Sequence, residues 1–491
     1  MRLYAAILLL PALLAPGFGH GQAAKSTKNH AAQQPSTDPR IAQVESGLLP
    51  AVIIKGDPHP TRTLAAEMQD KHVTALSVAV IHNGQIAWAK GYGITREGGP
   101  PVTPDTLFQA ASISKSFTAT AALRLVQQGK MSLDAPIQTE LKSWTLPENN
   151  FTAQHPVTLR ELLSHTAGTS VHGFPGYASD APVPSLRQVL QGEKPANTEP
   201  ITVVATPGQA FSYSGGGYTI VQQALIDTTG EPFPELMKQL VLDPLGLHNS
   251  TYEQPLDPTL LARAAFPADG QGKPINGGPH IYPEMAAAGL WTTPTDLAKW
   301  LLAMQRALSG DPNQILSPET AKLMITPVKG NYGLGVETED ANGKPCLLAH
   351  SGSNAGYKTY YLLYADGDGV AVMTNADNGG VVYAELLRSI AAAYGWPGYK
   401  PVEREAIPLD PKAVAPYLGK FQGKGTPVFE VLLDNNHLVL KVNDISQPFI
   451  PAAGATFFTT DNPMPLEFHF DSPDSGTVNL PNAKIPFTRV H

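Results

Sequence analysis

Strand patterns lie at both ends of residues 43–395, and helical patterns lie between them. Residues 76–81 are an apolar strand candidate, Asn83-Gly84 favours a tight turn, and residues 85–93 return as a second strand. This antiparallel opening argues against a nucleotide-binding βαβ unit. The simplest packing joins both ends in one antiparallel sheet with an inserted helical domain, an α/β (α+β) fold. The later strand patterns lie at residues 347–350, 358–364 and 369–374.

The middle of the chain carries helical patterns with recognisable starts and stops. Gly129 supplies a C-terminal stop for the helix predicted over residues 114–128. Residues 293–296 (Thr-Pro-Thr-Asp) are a typical helix start. We expect a cleft between this helical region and the sheet, which is the usual place for an active site. The predicted helices span residues 114–128, 159–164, 218–228, 234–241, 295–308 and 381–394.

After Pro401 the character of the sequence changes. Residues 401–411 are rich in proline and charge, as expected of a linker between a main domain over residues 43–400 and a second domain. Residues 412–491 contain short alternating segments separated by turn residues, which predicts a small all-β barrel. The predicted strands of this barrel are residues 428–433, 437–442, 448–450, 456–460, 466–470, 477–480 and 485–490.

The first residues are typical of a signal peptide. Arg2 supplies the positive start, and an apolar run over residues 5–18 precedes small residues suited to cleavage. The alternative is a membrane anchor, but the run is shorter than the roughly 20 residues that span a bilayer, and prolines interrupt it. We therefore expect a signal peptide over residues 1–23, a flexible polar N-terminus over residues 24–42, no stable membrane span, and a periplasmic or secreted protein.

Composition excludes several classes of protein. The 491 residues carry a formal net charge of −8, so binding to a nucleic-acid backbone is not expected. A single cysteine, Cys346, permits no internal disulfide, and we expect a buried inert thiol. The histidines have no metal-ligand spacing, and no phosphate loop or Gly-x-Ser-x-Gly elbow occurs. We expect no metal or other cofactor and a small-molecule or peptide partner; the oligomeric state stays open.

Ser112 and Lys115 lie where the strand-rich region enters the first long helix. Residues three apart on a helix share a face, so the lysine amine can reach the serine hydroxyl. A partly buried lysine can have its pKa lowered enough to take the serine proton, and N–H groups at the helix start can stabilise an oxyanion. The alternative is a solvated helix start, because chance alone gives about one Ser-x-x-Lys in a chain of this length.

Two further segments carry chemistry. In residues 211–218 (FSYSGGGY), Tyr213 precedes a glycine-rich helix entry and could move a proton beside a cation. Residues 350–353 (His-Ser-Gly-Ser) end an apolar run and could present a donor side chain and a main-chain N–H along a strand edge. The alternatives are core tyrosines for the first segment and an ordinary strand turn for the second.

In this order, the three segments resemble the class C serine β-lactamases, the D-alanyl-D-alanine carboxypeptidases, and their esterase and peptidase relatives. That family has Ser-x-x-Lys, then Tyr-x-Asn, then Lys-Thr-Gly or His-x-Gly. The resemblance covers residues of about 60 to 395. Further stretches that resemble the family are residues 106–108, 162–168, 283–296, 332–335 and 373–376.

The resemblance implies a role for each matching position. Ser112 corresponds to the acylated nucleophile, Lys115 to its base, and Tyr213 to the group that handles the leaving-group proton and activates the deacylating water. His350 stands where the family has Lys or His. The main-chain N–H groups of Ser112 and Ser353 would form the oxyanion hole. Gly352 and Gly215 complete the expected substrate-binding group.

Two positions depart from the family or need a separate interpretation. Gly215 replaces the family's Asn, which predicts inefficient β-lactam hydrolysis and leaves ester or unusual peptide substrates open. The His350 charge is expected to change near pH 6.5, so affinity for substrates with a free carboxylate should weaken above that pH. We interpret His165, in the stretch 162–168, as structural.

The C-terminal segment resembles the lipocalin-like barrel that some peptidases of this family carry. It either covers the cleft and restricts substrates or is a packing module without direct effect on catalysis. The sequence as a whole predicts an exported serine hydrolase that acts on peptides, esters or β-lactams through an acyl-enzyme. The alternative is a penicillin-binding or sensor module that acylates without efficient turnover.

Overall fold

The computed structural model describes residues 38–57, 62–312, 314–340, 342–423, 426–442, 445–460, 462, 465–480 and 483–490. The predicted signal peptide and residues 24–37 lie outside the described residues. Helix α1 (Pro39–Ser46) spans the predicted boundary between the flexible N-terminus and the main domain at residues 42–43. Residues 39–42 are therefore helical, where a flexible segment was expected. Asp38 caps this helix by accepting a hydrogen bond from the Arg40 N–H, and Pro39 fits the first turn, where no N–H partner is needed.

Each of the six predicted helices has a counterpart among the described residues, and seven further helices were not predicted. Apolar residues on one face and capping side chains at the starts account for most of them. The π-helical turn at Lys238–Leu242 continues α7, and short 3₁₀ turns lie at Ala111–Ile113 and Ile137–Thr139. After α1 come α2 (Leu64–Asp70), α3 (Ser114–Gln127), α4 (Leu159–Leu163), α5 (Leu186–Gln191), α6 (Gly215–Thr229), α7 (Phe233–Met237), α8 (Pro258–Leu261), α9 (Met285–Ala288), α10 (Pro294–Leu308), α11 (Pro318–Ile325), α12 (Gly379–Tyr394) and α13 (Pro411–Val414).

The strands form one central sheet, one C-terminal sheet and two small pairs. They are β1 (Val52–Ile54), β2 (Ala75–His82), β3 (Gln85–Gly93), β4 (Phe108–Gln109), β5 (Trp291–Thr292), β6 (Glu337–Glu339), β7 (Pro345–Asn354), β8 (Tyr357–Leu363), β9 (Gly369–Thr374), β10 (Val402–Arg404), β11 (Gly419–Gly423), β12 (Phe429–Asp434), β13 (His437–Val442), β14 (Ile445–Pro448), β15 (Ile450–Ala452), β16 (Thr456–Thr459), β17 (Leu466–Ser472), β18 (Ser475–Leu480) and β19 (Ala483–Arg489).

The central sheet joins the two ends of the main domain, as predicted. Its strand order is β3-β2-β9-β8-β7-β6, and every neighbouring pair is antiparallel. Side chains of β2 alternate between two cores, with Ala79 and Ile81 on one face and Val78 and Val80 on the other. Helices α3 and α10 contribute to the first core, and α12 to the second. The sheet is therefore buried between helical layers.

Strand β7 is longer than the sequence predicts. The predicted strand ends at residue 350, whereas β7 continues to Asn354 because it stays paired with β8 as far as Tyr357, while β6 pairs only with its first half, up to Ala349. His350, Ser351, Gly352 and Ser353 therefore belong to a strand in the sheet, and the alternative of an ordinary turn is wrong.

The C-terminal strands form a nearly closed barrel. The order β14-β13-β12-β11-β19-β18-β17-β16-β15 is antiparallel throughout, and the barrel core is rich in phenylalanine. Part of the predicted linker is itself a strand, since β10 pairs in parallel with β1. Phe458 of the barrel packs against Ala51 and Val52, which attaches the barrel to the beginning of the main domain.

Candidate active site

Ser112 lies on a tight 3₁₀ turn that runs directly into α3. Ala111 in this turn has a left-handed backbone with φ of 51°, a conformation that non-glycine residues rarely adopt. The Ser114 hydroxyl donates to the Ala111 carbonyl at 2.6 Å and accepts from the Leu290 N–H at 2.9 Å. These bonds hold the turn in shape, and the Ser112 side chain remains half-buried.

Lys115 reaches Ser112, as the spacing predicts. Its Nζ lies 3.1 Å from Ser112 Oγ and 2.8 Å from the carbonyl oxygen of Ala287. The side chain is 2 % exposed. Burial disfavours the charged ammonium and lowers the pKa of Lys115 to about 7. A large fraction of the lysine is therefore neutral at physiological pH and able to accept the serine proton.

Tyr213 lies in the segment just before α6, and its side chain is the third of the predicted group to lie beside Ser112 and Lys115. Its hydroxyl is near enough to the Ser112 side chain to influence its own ionisation, and Lys115 Nζ lies 5.0 Å from the centroid of its ring. Burial raises the pKa of the Tyr213 phenol above its usual value, and the nearby Ser112 side chain only partly opposes this shift. At neutral pH Tyr213 is a phenol, which can donate a proton.

His350 lies beside these groups, but not in the state that the sequence predicts. Its Nδ1 is 2.6 Å from the Ser351 carbonyl oxygen, which identifies Nδ1 as the donor, and Nε2 accepts from the Tyr332 hydroxyl at 3.0 Å. Burial, assisted by nearby Lys115, lowers the pKa of His350 to about 4. The expectation of a charge change near pH 6.5 is therefore wrong: the ring is neutral from about pH 5 upward.

Gly352 sits where β7 presses against the turn that carries Ser112. A Cβ built on Gly352 would lie 2.3 Å from the Ala110 carbonyl oxygen and 2.2 Å from Thr359 Oγ1. That hydroxyl in turn donates to the Ala110 carbonyl at 3.0 Å. Ser353 follows in the same strand, paired with Lys358 of β8. The absence of a side chain at residue 352 thus lets the main chain of β7 approach the turn closely.

Gly215 lies at the start of α6, and an aromatic ring occupies the space beside it. A Cβ on Gly215 would be 2.8 Å from Cε2 of Phe174, and the Gly215 N–H donates to the His172 carbonyl at 3.0 Å. The loop that carries Phe174 therefore folds over this position. An asparagine could not fit here without displacing the ring, which gives the departure from the family pattern a physical cause.

Several groups at the site escaped the sequence interpretation. The Ala287 carbonyl binds Lys115 through the main chain, so no side-chain signal exists for it. Phe174 lies in a Pro/Gly-rich loop without periodicity. Tyr332 lies in the stretch 332–335 that resembles the family, so the resemblance points to this position but does not give the tyrosine a role. The structure brings Ser112, Lys115, Tyr213 and His350 close together, and Gly352 packs on the turn that carries Ser112. Ser353 and Gly215 are neighbours of this group along the chain, next to Gly352 and two residues after Tyr213.

The remaining chemical candidates lie apart from this cluster. Cys346 is a free, partly buried thiol at the other end of β7, and burial raises its pKa, so it stays protonated at neutral pH. Within the described residues, no group of three or more His, Cys, Asp or Glu side chains is arranged to hold a metal ion. None of the helices in the described ranges combines the length and the hydropathy that crossing a membrane requires.

Comparison with known proteins identifies relatives along most of the main domain. A family model described as Beta-lactamase matches residues 61–395. The D-alanyl-D-alanine-carboxypeptidase/endopeptidase AmpH of Escherichia coli is 27 % identical over 306 residues, which cover 59 % of this chain and 76 % of AmpH. A Beta-lactamase of Pseudomonas fluorescens is 30 % identical over 240 residues, or 49 % of this chain and 62 % of that protein.

A solved structure extends the likeness toward the C-terminus. The octameric penicillin-binding protein homologue from Pyrococcus abyssi superposes with a TM-score of 0.57. It is 24 % identical, and the match covers 86 % of this chain and 98 % of that one. At this identity the likeness establishes a shared fold.

Proposed function

The chain belongs to the beta-lactamase family of serine hydrolases, and we propose that it is exported and acts through an acyl-enzyme formed on Ser112. The observation that carries this proposal is the 3.1 Å separation of Lys115 Nζ and Ser112 Oγ. Burial lowers the pKa of that lysine to about 7, which is the range a general base needs at physiological pH.

In the acylation step, neutral Lys115 takes the proton of Ser112 as Oγ attacks the carbonyl carbon of the substrate. The oxyanion that forms would accept hydrogen bonds from the main-chain N–H groups of Ser112 and Ser353. Tyr213 donates its proton to the departing nitrogen or oxygen as the tetrahedral intermediate collapses, and the Lys115 ammonium returns a proton to Tyr213. With a peptide or an ester, the products of this step are the acyl-enzyme and the released amine or alcohol; with a β-lactam the C–N bond breaks in the same way, but the amine stays attached to the acyl group.

In the deacylation step, a water molecule gives a proton to the same lysine–tyrosine pair and attacks the ester carbonyl carbon. The bond between that carbon and Ser112 Oγ breaks, and Ser112 regains its proton. His350 is neutral in this scheme, and its hydrogen bond to Tyr332 holds it beside the site. It serves as a neutral group at the cleft, without a charge to attract a carboxylate.

The proposed substrates are peptides, esters or β-lactams, all of which contain an acyl group that serine can accept. The names of AmpH and of the Pseudomonas fluorescens Beta-lactamase support amide and β-lactam bonds. The Phe174 ring beside Gly215 supports acyl groups that present an apolar surface there. A hydrolysis panel of nitrocefin, p-nitrophenyl acetate and butyrate, and D-amino-acid amides and peptides ranks the three classes.

The acyl-enzyme is tested with a fluorescent penicillin and a fluorophosphonate probe. We expect covalent label on the wild type, regeneration of free enzyme after wash-out, and no label on Ser112→Ala. The control Ser309→Ala removes an exposed hydroxyl at the end of α10 and should label normally. Label on Ser112→Ala would contradict the assigned nucleophile, and permanent label on the wild type would favour the sensor alternative.

Export and the division into domains are part of the same proposal. The proposed precursor has a signal peptide over residues 1–23, which is removed on export, a hydrolase domain over residues 43–400 and a barrel over residues 412–491. N-terminal sequencing of protein from the periplasmic fraction and the medium tests export. A start near residue 24 is expected, and an intact Met1 on cytoplasmic protein would contradict it.

A further inference from the structure

His165 holds the main chain on both sides of Tyr213. Its carbonyl oxygen accepts the Ser212 N–H at 2.8 Å, and its ring Nδ1 accepts the Ser214 N–H at 3.1 Å. The imidazole also packs on the Tyr213 ring, with centroids 4.2 Å apart and planes inclined by 36°. Three contacts from one residue therefore fix the position and the direction of this tyrosine.

The backbone of His165 is unusual for the residue it carries. His165 follows Ser164, which caps the end of α4, and its φ of 58° is left-handed. Glycine or asparagine normally occupies this position after a helix, because a larger side chain adds strain. A histidine here accepts that strain, which indicates that its ring has a task that glycine could not perform.

The ring is also held in one protonation state. Because Nδ1 accepts the Ser214 N–H, the proton of the neutral ring lies on Nε2, which is buried without a hydrogen-bond partner among the described residues. Burial, together with Lys115 and His350 nearby, keeps the pKa of His165 well below its usual value. A charged ring would lose the Nδ1 acceptor, so the neutral form is the one that positions Tyr213.

We propose that His165 is a positioning residue for the reaction, which acts through Tyr213 by accepting hydrogen bonds from the residues on either side of it. The inference rests on the role of Tyr213 in the proposed function. It goes beyond a purely structural interpretation of His165, because it states that the loss of the ring acceptor lowers turnover while the fold persists.

Two residues can adopt the left-handed backbone of His165, and only one of them keeps an acceptor for the Ser214 N–H. His165→Asn keeps a side-chain oxygen near the position of Nδ1, whereas His165→Gly keeps the backbone and removes the acceptor. With p-nitrophenyl acetate, we expect kcat of His165→Gly to fall by about 30-fold, since a misplaced group of about 1 Å can cost 10²-fold. KM should stay within about threefold, and His165→Asn should retain kcat within about fivefold.

A double-mutant cycle separates this role from general loosening. In a Tyr213→Phe background, His165→Gly should lower kcat by no more than about twofold, because the group it positions is already gone. If the double variant loses kcat by the product of the two single-variant factors, the inference is overturned. Circular dichroism and thermal unfolding check that each variant is folded. If His165→Gly does not fold, the test rests on His165→Asn alone. A fall in kcat of more than about tenfold in the folded Asn variant would then overturn the inference.

The cycle also distinguishes this inference from the proposed function. Tyr213→Phe with unchanged kcat would overturn the assigned role of Tyr213 and, with it, the role of His165. A strong loss in Tyr213→Phe together with full activity of His165→Gly would overturn only the inference.

Discussion

Gly352 packs so closely on Ala110 that a Cβ at residue 352 would lie 2.3 Å from the Ala110 carbonyl oxygen. Real Cβ atoms do not come that near a carbonyl, so any side chain at this position must push strand β7 away from the turn that carries Ser112. The distance between the turn that carries Ser112 and the main chain of Ser353 is therefore set by the absence of a side chain at Gly352.

Gly352→Ala should lower kcat/KM by about 100-fold, because a misplacement of about 1 Å in a reacting site has this effect. The free energy of unfolding should fall by about 1–3 kcal/mol from overpacking. Kinetics with the best substrate of the panel and urea unfolding measure both. Gly380→Ala is the control, because a Cβ there meets only Tyr383 Oη at 3.9 Å. Equal behaviour of the two variants would contradict the packing argument.

The pH dependence of turnover should follow Lys115. Its pKa of about 7 means that the base is protonated and inactive at lower pH, so kcat/KM should rise with pH and level off above about pH 8. Rate profiles from pH 5.5 to 9 test this. Lys115→Arg should be inactive throughout, because a guanidinium keeps its proton. If kcat/KM does not fall toward acidic pH, Lys115 is not the base.

The ring of Phe174 should decide whether an amide can be placed at residue 215. Gly215→Asn alone forces the new side chain against the ring, because Cε2 of Phe174 lies only 2.8 Å from where the Cβ must go, so activity should drop by about tenfold or more. Gly215→Asn with Phe174→Ala opens the space and should recover activity, with a higher rate on nitrocefin relative to p-nitrophenyl acetate. An unchanged ratio of the two rates would contradict this account of specificity.

Glu284 should make the protein less stable as the pH rises. The side chain is fully buried beside α9, neither carboxyl oxygen has a hydrogen-bond partner from another described residue, and burial raises its pKa to about 8. Between pH 4.5 and pH 8 the folded protein therefore binds the proton that the unfolded chain releases, and stability falls with increasing pH.

Glu284→Gln removes this titration. The difference in the free energy of unfolding between the Gln variant and the wild type should grow by about 2–4 kcal/mol in favour of the variant from pH 5 to pH 8. Urea unfolding at three pH values measures it. Glu403→Gln changes an exposed carboxylate and should show no such trend. A constant difference for Glu284→Gln would mean that the carboxyl is already ionised in the folded state.

Local patterns predicted most of the elements but misplaced some ends. The helix predicted from residue 218 begins at Gly215, because the Ser214 hydroxyl accepts the Gly217 N–H at 3.0 Å and caps a first turn made of glycines. Glycine has low helix propensity, so propensity alone starts this helix too late. Strand β10 lies in a segment whose proline and charge content is typical of a linker, and its partner β1 is far away in sequence. No local pattern therefore predicts this strand.

At the site, each motif alone left a structural alternative open, and the order of the three motifs, which resembles one family, singled out Ser112, Lys115 and Tyr213 as candidates. The state of His350 could not be predicted, because its pKa depends on burial among residues that come from several segments. The same holds for Phe174, whose position beside Gly215 is set by the path of a loop.

Strand β2 finds its second partner only when β9 has been made. The Ala75 N–H donates to Asn375 Oδ1 across 300 residues of chain, and β2 pairs with β9 along six residues from Leu76 to Ile81. During synthesis this apolar hairpin therefore stays open at one edge until residue 374 has left the ribosome. Until then the free edge of β2 presents unpaired N–H and C=O groups, which can template pairing with another chain.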